Sequence, residues 1–230
     1  MFTLAVETST HQGSLTLFSD NQIVDTECWS RVGSHSEFLT SSLQSILKKH
    51  SLSLQQLNRL AVGTGPGSFT GIRVGINFIR TLGYGLHLPI YSLNSLHLLA
   101  SQIKDSSFSN IRVVQYAFRD LLYTGQYKLD QGRVVEFEKP SAVTAAQLIT
   151  QLKEPTLILG SGAELLLSLA SPKINEYIIR NTDFSDDPHS VFFQNTCALD
   201  KSLIHLTDWI HTIPLYIRAS EAEEKMKMGN

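Results

Sequence analysis

The first thirty residues alternate short apolar runs with polar turns. Phe2 to Glu7, Gly13 to Phe18 and Gln22 to Trp29 read as three strands, with Ser19-Asp20-Asn21 as the second turn, and so as an antiparallel meander. The period then changes to that of a helix. Ser34 with Glu37 three residues on makes a capping box, and Leu39, Leu43, Ile46 and Leu47 recur at helical spacing up to Lys48, Lys49 and His50. A second box, Ser53 with Gln56, opens one more helical turn. A strand at Leu60 to Val62, a glycine loop, a long helix to about His87 and a strand from Ile90 to Leu93 behind Pro89 follow.

After a polar, serine-rich boundary from Ser101 to Asn110 the pattern restarts. Ile111 to Ala117, Leu121 to Leu129 and Arg133 to Phe137 predict three more strands. A helix capped by Thr144 with Gln147, a strand from Thr156 to Leu159 and a helix from Ser161 to Ala170 come next. Three antiparallel strands followed by right-handed crossovers give a mixed sheet flanked by helices. The sequence therefore predicts an α/β chain of two tandem ribonuclease-H-like βββαβα units, the architecture of the actin, sugar-kinase and chaperone-ATPase superfamily. The expected division is 1–104 and 105–210, with 211–230 packing back on the first unit. A helix from Ser190 to about Ile204, a strand from Ile213 to Ile217 and a charged end from Glu221 to Lys227 complete the expectation.

The loop Gly63-Thr64-Gly65-Pro66-Gly67-Ser68-Phe69-Thr70-Gly71 turns a strand directly into a helix, a place where free amides can meet an anion. It is not a standard nucleotide loop. No lysine lies between Leu60 and Gly85, and Thr70 stands where a dinucleotide fingerprint needs its third glycine. Ser68 and Thr70 read as helix caps, because no nearby histidine or acid would activate them. In the helix itself Gly71, Gly75, Ile79 and Gly83 form a stripe with almost no side chain near its start, while Ile72, Ile76 and Phe78 supply an apolar side for the core. Helix-interior glycine costs about 1 kcal/mol, so the stripe implies a close packing contact, either inside the chain or with another subunit. Arg73 and Arg80 share one face and are open to an acidic partner, phosphate or solvent.

Composition narrows the classes. In 230 residues the hydrophobic share is 42% and the charged share 17%, with a net charge of −2, which provides no global attraction to nucleic acid. No apolar stretch is long enough to span a bilayer, and the start from Met1 to Glu7 reads as a strand rather than a secretion signal, so the expected location is cytoplasmic. Cys28 and Cys197 lie far apart without metal-ligand spacing, and none of the eight histidines forms a His-x-x-x-His pair, so neither a metal nor a cofactor is expected. In the first hairpin, Glu7-Thr8-Ser9-Thr10 occupies the place where the superfamily holds phosphate and a metal-associated aspartate, but the usual glycine before the threonines is missing. It reads as a vestigial nucleotide turn.

These residues resemble the TsaB (YeaZ) family: Leu4-Ala5-Val6-Glu7-Thr8-Ser9-Thr10, His35 with the helix after it, and Gly65-Pro66-Gly67-Ser68-Phe69-Thr70-Gly71-Ile72-Arg73-Val74-Gly75, with Pro214-Leu215-Tyr216-Ile217-Arg218 and Glu221 at the end. Where the family commonly carries Asp-Ala-Arg, the chain has Tyr116-Ala117-Phe118-Arg119-Asp120. The resemblance implies a non-catalytic scaffold that pairs with TsaD, is joined by the ATPase TsaE, and meets tRNA through the complex that transfers a threonylcarbamoyl group to the adenosine adjoining the anticodon; for the isolated chain both a homodimer and a monomer stay open. It further implies that Leu39, Leu43, Ile46, Gly71, Arg73, Gly75 and Ile79 form the partner interface. The competing expectations are a small-molecule kinase or ATPase using Glu7 and the glycine loop and, last, a protease, for which no metal pair or triad is present.

Overall fold

A computed structural model of the chain describes residues 1–30, 35–104, 107–197 and 205–217. The meander forms as expected: β1 (Phe2–Glu7), β2 (Gln12–Ser19) and β3 (Gln22–Ser30) pair antiparallel in sequence order. Helix α1 (His35–Lys49) follows; Ser34, the capping residue proposed for it, lies outside the described residues. A 3-10 turn at Leu54–Gln56 is held by the Gln56 side chain, which accepts from the Ser53 backbone N–H at 2.8 Å. Then come β4 (Leu57–Gly63), α2 (Phe69–Leu86) and β5 (Ile90–Leu93), with β4 parallel to β1 and β5 parallel to β4. Period-two alternation sends Leu4, Val6, Leu60 and Val62 to the face covered by α1 and α2, and Ala5 and Ala61 to the other.

The next element is one the sequence pattern misses. Helix α3 (Ser95–Ala100) is capped by the Asn94 side chain, which accepts from the His97 N–H, and all six of its residues are buried. Leu98 packs with the first sheet, whereas Leu96, Leu99 and Ala100 pack with the second. A short helix enclosed on every side has no polar face to reveal its period.

The second half repeats the first. Strands β6 (Asn110–Phe118), β7 (Leu121–Asp130) and β8 (Arg133–Thr144) form an antiparallel meander, β8 running seven residues past the expected Phe137 and through Pro140 on the sheet edge. The predicted capping box of Thr144 and Gln147 opens α4 (Ala145–Gln151), followed by β9 (Thr156–Leu159), α5 (Ala163–Leu169), α6 (Pro172–Asn175) and β10 (Ile178–Ile179). A 3-10 turn and α7 (Phe193–Cys197) replace the first part of the helix expected from Ser190; its remainder lies outside the described residues.

The strand expected at Ile213 to Ile217 does not form; those residues run as a loop along α2. The strand at this end is instead β11 (His205–Thr207), antiparallel to β5. The first sheet thus has the order β11-β5-β4-β1-β2-β3 and the second β10-β9-β6-β7-β8. Both are mixed sheets of ribonuclease-H-like order, the α/β class expected. Among the described residues no helix is long and apolar enough to cross a membrane.

Candidate functional site

The hairpin turn after β1, the glycine loop after β4 and the start of α2 are bonded into one unit. Glu7 is fully buried at the end of β1. One carboxylate oxygen accepts from the Ser9 backbone N–H at 2.6 Å and the other from the Ser95 hydroxyl at 2.9 Å, while the Ser95 oxygen in turn accepts from the Gly65 N–H at 3.0 Å. Burial raises the Glu7 carboxyl above its ordinary range, and the hydrogen bonds from Ser9 and Ser95 oppose this only in part. A Cβ on Gly63 would lie 1.8 Å from the carboxylate, so only glycine fits there. Glu7 is a structural tie between the turn, the loop and α3.

The glycine stripe points the same way. A Cβ on Gly71 would stand 2.1 Å from the Thr8 carbonyl oxygen, and one on Gly75 2.3 Å from the Thr8 hydroxyl. On Gly67 it would be 2.1 Å from the Ser9 carbonyl oxygen, which accepts from the Ser68 N–H at 2.7 Å. Gly65 has φ +93°, and its peptide bond to Pro66 is cis. Ser68 is the helix cap, its hydroxyl accepting from the Gly71 N–H at 3.2 Å; Thr70 is already inside the helix and exposed, and caps nothing.

The expected partner-facing stripe is thereby corrected. Gly71, Gly75 and Ile79 are buried against the chain's own sheet, and Leu39, Leu43 and Ile46 belong to the same core. The bare helix surface admits strand β1 rather than another subunit. Of the seven expected interface residues only Arg73 is exposed. Its Nε donates to the Tyr216 hydroxyl at 2.7 Å, and its guanidinium lies 5.7 Å from the Phe69 ring, which stacks on Tyr216 with centroids 4.4 Å apart. With the Leu215 N–H donating to the Thr64 carbonyl at 2.8 Å, this fastens the C-terminal segment to the glycine loop.

The outer sides of α1 and α2 form a groove of about 450 Å³ lined by Ser36, Thr40, Val74, Asn77, Phe78 and Thr81, among others. Phe78, expected in the core, is half-buried there. Val74, Phe78 and Leu82 are spaced four apart, a second apolar stripe that the sequence carries and that the glycines draw attention away from. At its head His35 locks the hairpin to α1: its Nδ1 accepts from the Trp29 indole N–H at 2.9 Å, and its Nε2 donates to the Thr10 carbonyl at 3.1 Å. Desolvation holds His35 below the usual histidine range.

Between the two sheets lies a cleft of about 600 Å³. The hairpin turn (Ser9, Thr10, His11) and the loop (Pro66 to Phe69) supply one wall, and the other carries Gln115, Tyr116, Phe118, Tyr123, Ser161 and Asp187. Tyr116, Ala117 and Phe118, the first three residues of the segment singled out at Tyr116 to Asp120, therefore form part of this wall. Arg119, at φ +57° in the hairpin tip, lies with its guanidinium over Phe118.

A family model described as TsaD: tRNA N6-adenosine threonylcarbamoyltransferase matches residues 31–192. The chain is 26% identical over 228 residues, 98% of its length and 97% of the relative's, to the tRNA threonylcarbamoyladenosine biosynthesis protein TsaB of Bacillus subtilis. It is 28% identical to the Escherichia coli protein of the same name over 69% of this chain and 71% of that one. The solved structure of YeaZ from Pseudomonas aeruginosa shares the fold with a TM-score of 0.77 at 19% identity, covering 94% of this chain and 99% of the other. The chain belongs to the threonylcarbamoyltransferase family that this model describes, and within it to the TsaB (YeaZ) group.

Proposed function

We propose that the chain is a non-catalytic partner of TsaD in the cytoplasmic assembly that makes threonylcarbamoyladenosine in tRNAs reading ANN codons, docking through the outer face of α1 and α2. The observation that carries this reading is the solvent-facing groove with its Val74, Phe78 and Leu82 stripe, an apolar surface on two helices that share one core. The state of Glu7 supports the non-catalytic part: both carboxylate oxygens are engaged by the chain itself, in a place without solvent access. TsaE joins the assembly on another surface, tRNA is met through the complex, and the α1 and α2 face pairs two copies of the chain where TsaD is absent. On this reading the first unit comprises 1–104 with the returning segment, and the second lies between them.

The test is co-purification with TsaD of the unaltered chain and of an Asn77→Arg, Thr81→Arg variant. Both positions are exposed and line the groove, so charge enters the surface without entering the core. Loss of pairing with an unchanged unfolding midpoint supports the reading. Equal recovery of TsaD by both proteins refutes this surface, and recovery by neither refutes the partnership.

A further inference from the structure

The two arginines of α2 belong to a second face of that helix, turned toward the C-terminal segment. Arg73, Arg80 and Tyr84 follow one another at helical spacing along one side. The chain from Trp209 to Tyr216 runs beside them. The Tyr84 and Trp209 rings meet edge to face with centroids 4.9 Å apart, and at the other end the Arg73 guanidinium lies 5.5 Å from the Tyr216 ring, itself stacked on Phe69. From Arg73 to Tyr84 this strip is about 16 Å long.

Its far end is held out by a closed turn. The Asp208 carboxylate accepts from the Ile210 and His211 backbone N–H groups at 3.0 and 2.9 Å and from the His211 ring at 2.7 Å, while the Thr212 hydroxyl donates to the Asp208 carbonyl at 2.8 Å. This turn leaves Trp209 36% and Ile210 52% exposed, beside Tyr84 at 61%. Large apolar side chains grouped on a fixed turn form a surface ready to bind.

The charges select the occupant. Helix α2 contains no acidic residue, Arg80 has no hydrogen bond or ion pair among the described residues, and the one carboxylate of 205–217 is engaged by its own turn. Rings and guanidinium groups without a free carboxylate suit a polyanion that has planar faces. An apolar protein surface would desolvate the guanidinium groups without a counter-charge. We propose that this strip binds an unpaired segment of RNA, with a base on the Trp209–Tyr84 rings and phosphates on Arg80 and Arg73. The choice of RNA rests on the tRNA-modifying role proposed above, but the strip shares no lining residue with the α1–α2 groove.

The experiment is titration of the isolated full chain with an RNA oligonucleotide of tRNA anticodon-loop sequence, single-stranded or paired with its complement. Tryptophan fluorescence reads it: Trp29 is buried and stacked on Phe38, so quenching reports Trp209. Anisotropy of labelled RNA follows the Trp209→Ala and Arg80→Gln variants, whose folding is checked by thermal melting. The expected result is saturable quenching by the single strand, with affinity falling about sevenfold between roughly 50 and 200 mM salt, as two phosphate contacts require. Trp209→Ala should bind about tenfold more weakly, and Arg80→Gln should reduce the salt effect to about 2.5-fold. Absence of saturation, equal affinity for the duplex, or binding unchanged in both variants would each overturn the proposal. Co-purification of TsaD is measured on the same variants: retained pairing with weakened RNA binding supports the strip, whereas pairing lost in Trp209→Ala makes it a protein surface and overturns the proposal. Because RNA is titrated against the chain alone, failure there leaves docking through the groove standing, and failure of that docking leaves the RNA result standing.

Discussion

The Thr8 hydroxyl donates to the carbonyl of Gly71 at 2.9 Å, while the Thr8 carbonyl fills the space where a side chain on residue 71 would begin. Strand end and helix start are thus fitted backbone to backbone, and the absence of a Cβ is what permits it. The contact is the hinge on which the hairpin turn, the glycine loop and the α1–α2 layer are mutually placed.

Gly71→Ala is therefore expected to destabilise the chain by about 2–3 kcal/mol, overpacking against a backbone atom outweighing the gain in helix propensity. Gly75→Leu should do more and should unfold the chain rather than selectively abolish pairing, because residue 75 faces Thr8 and Val6. Urea unfolding measures both. A Gly75→Leu protein with an unchanged midpoint would show that the stripe has room that the geometry denies it.

Burial raises the Glu7 carboxyl above the ordinary value of 4.5, so the folded chain holds that proton more tightly than the unfolded one. Stability then falls as pH rises from about 4.5 into the raised range and is flat above it. Glu7→Gln keeps an acceptor for the Ser9 N–H and should lose this slope. The difference in unfolding free energy between the two proteins across pH 4 to 8 reads it directly.

For His35 the sign is reversed. Its folded value lies below 6.5, so the neutral ring that accepts from Trp29 is complete above that pH and is lost as pH falls through the depressed value. His97 and His189 are depressed as well and add to the same acid limb. His35→Gln should flatten the part of the limb due to residue 35, measured as the difference in urea midpoint between pH 7 and pH 5.

Tyr216→Phe removes the acceptor of the Arg73 Nε–H and keeps the stack on Phe69, whereas Tyr216→Ala removes both. The first should cost a few tenths of a kcal/mol and the second about 1 kcal/mol, both contacts being near the surface. Faster hydrogen exchange at the Leu215 amide, which donates to Thr64, would accompany the second alone.

How much of this was legible follows from the kind of signal each element carries. Leu4, Val6, Leu60 and Val62 flank alanines on the far face in short apolar runs bounded by turn residues, and that shortness with its flanking turns marks a strand buried on both faces. Ser68, Thr144 and Ser53 mark turns through local chemistry that needs no tertiary partner. The stripe of Gly71 and Gly75 states that something comes close but not what, since spacing defines a face and not its neighbour. Helix α3 and the cleft wall at Tyr116 to Phe118 were out of reach for a related reason: their surroundings come from the other sheet. Strand β11 is three residues long, too short for any period to register.

The pairing of β11 with β5 also has a meaning for the order in which the chain is made. The outer edge of the first sheet is closed by residues 205–207, which leave the ribosome only after the whole second sheet has been synthesised. Until then β5 presents an open row of backbone donors and acceptors, and a nascent chain halted near residue 104 would carry that edge uncovered. Completion of the N-terminal layer therefore follows synthesis of the second sheet instead of preceding it.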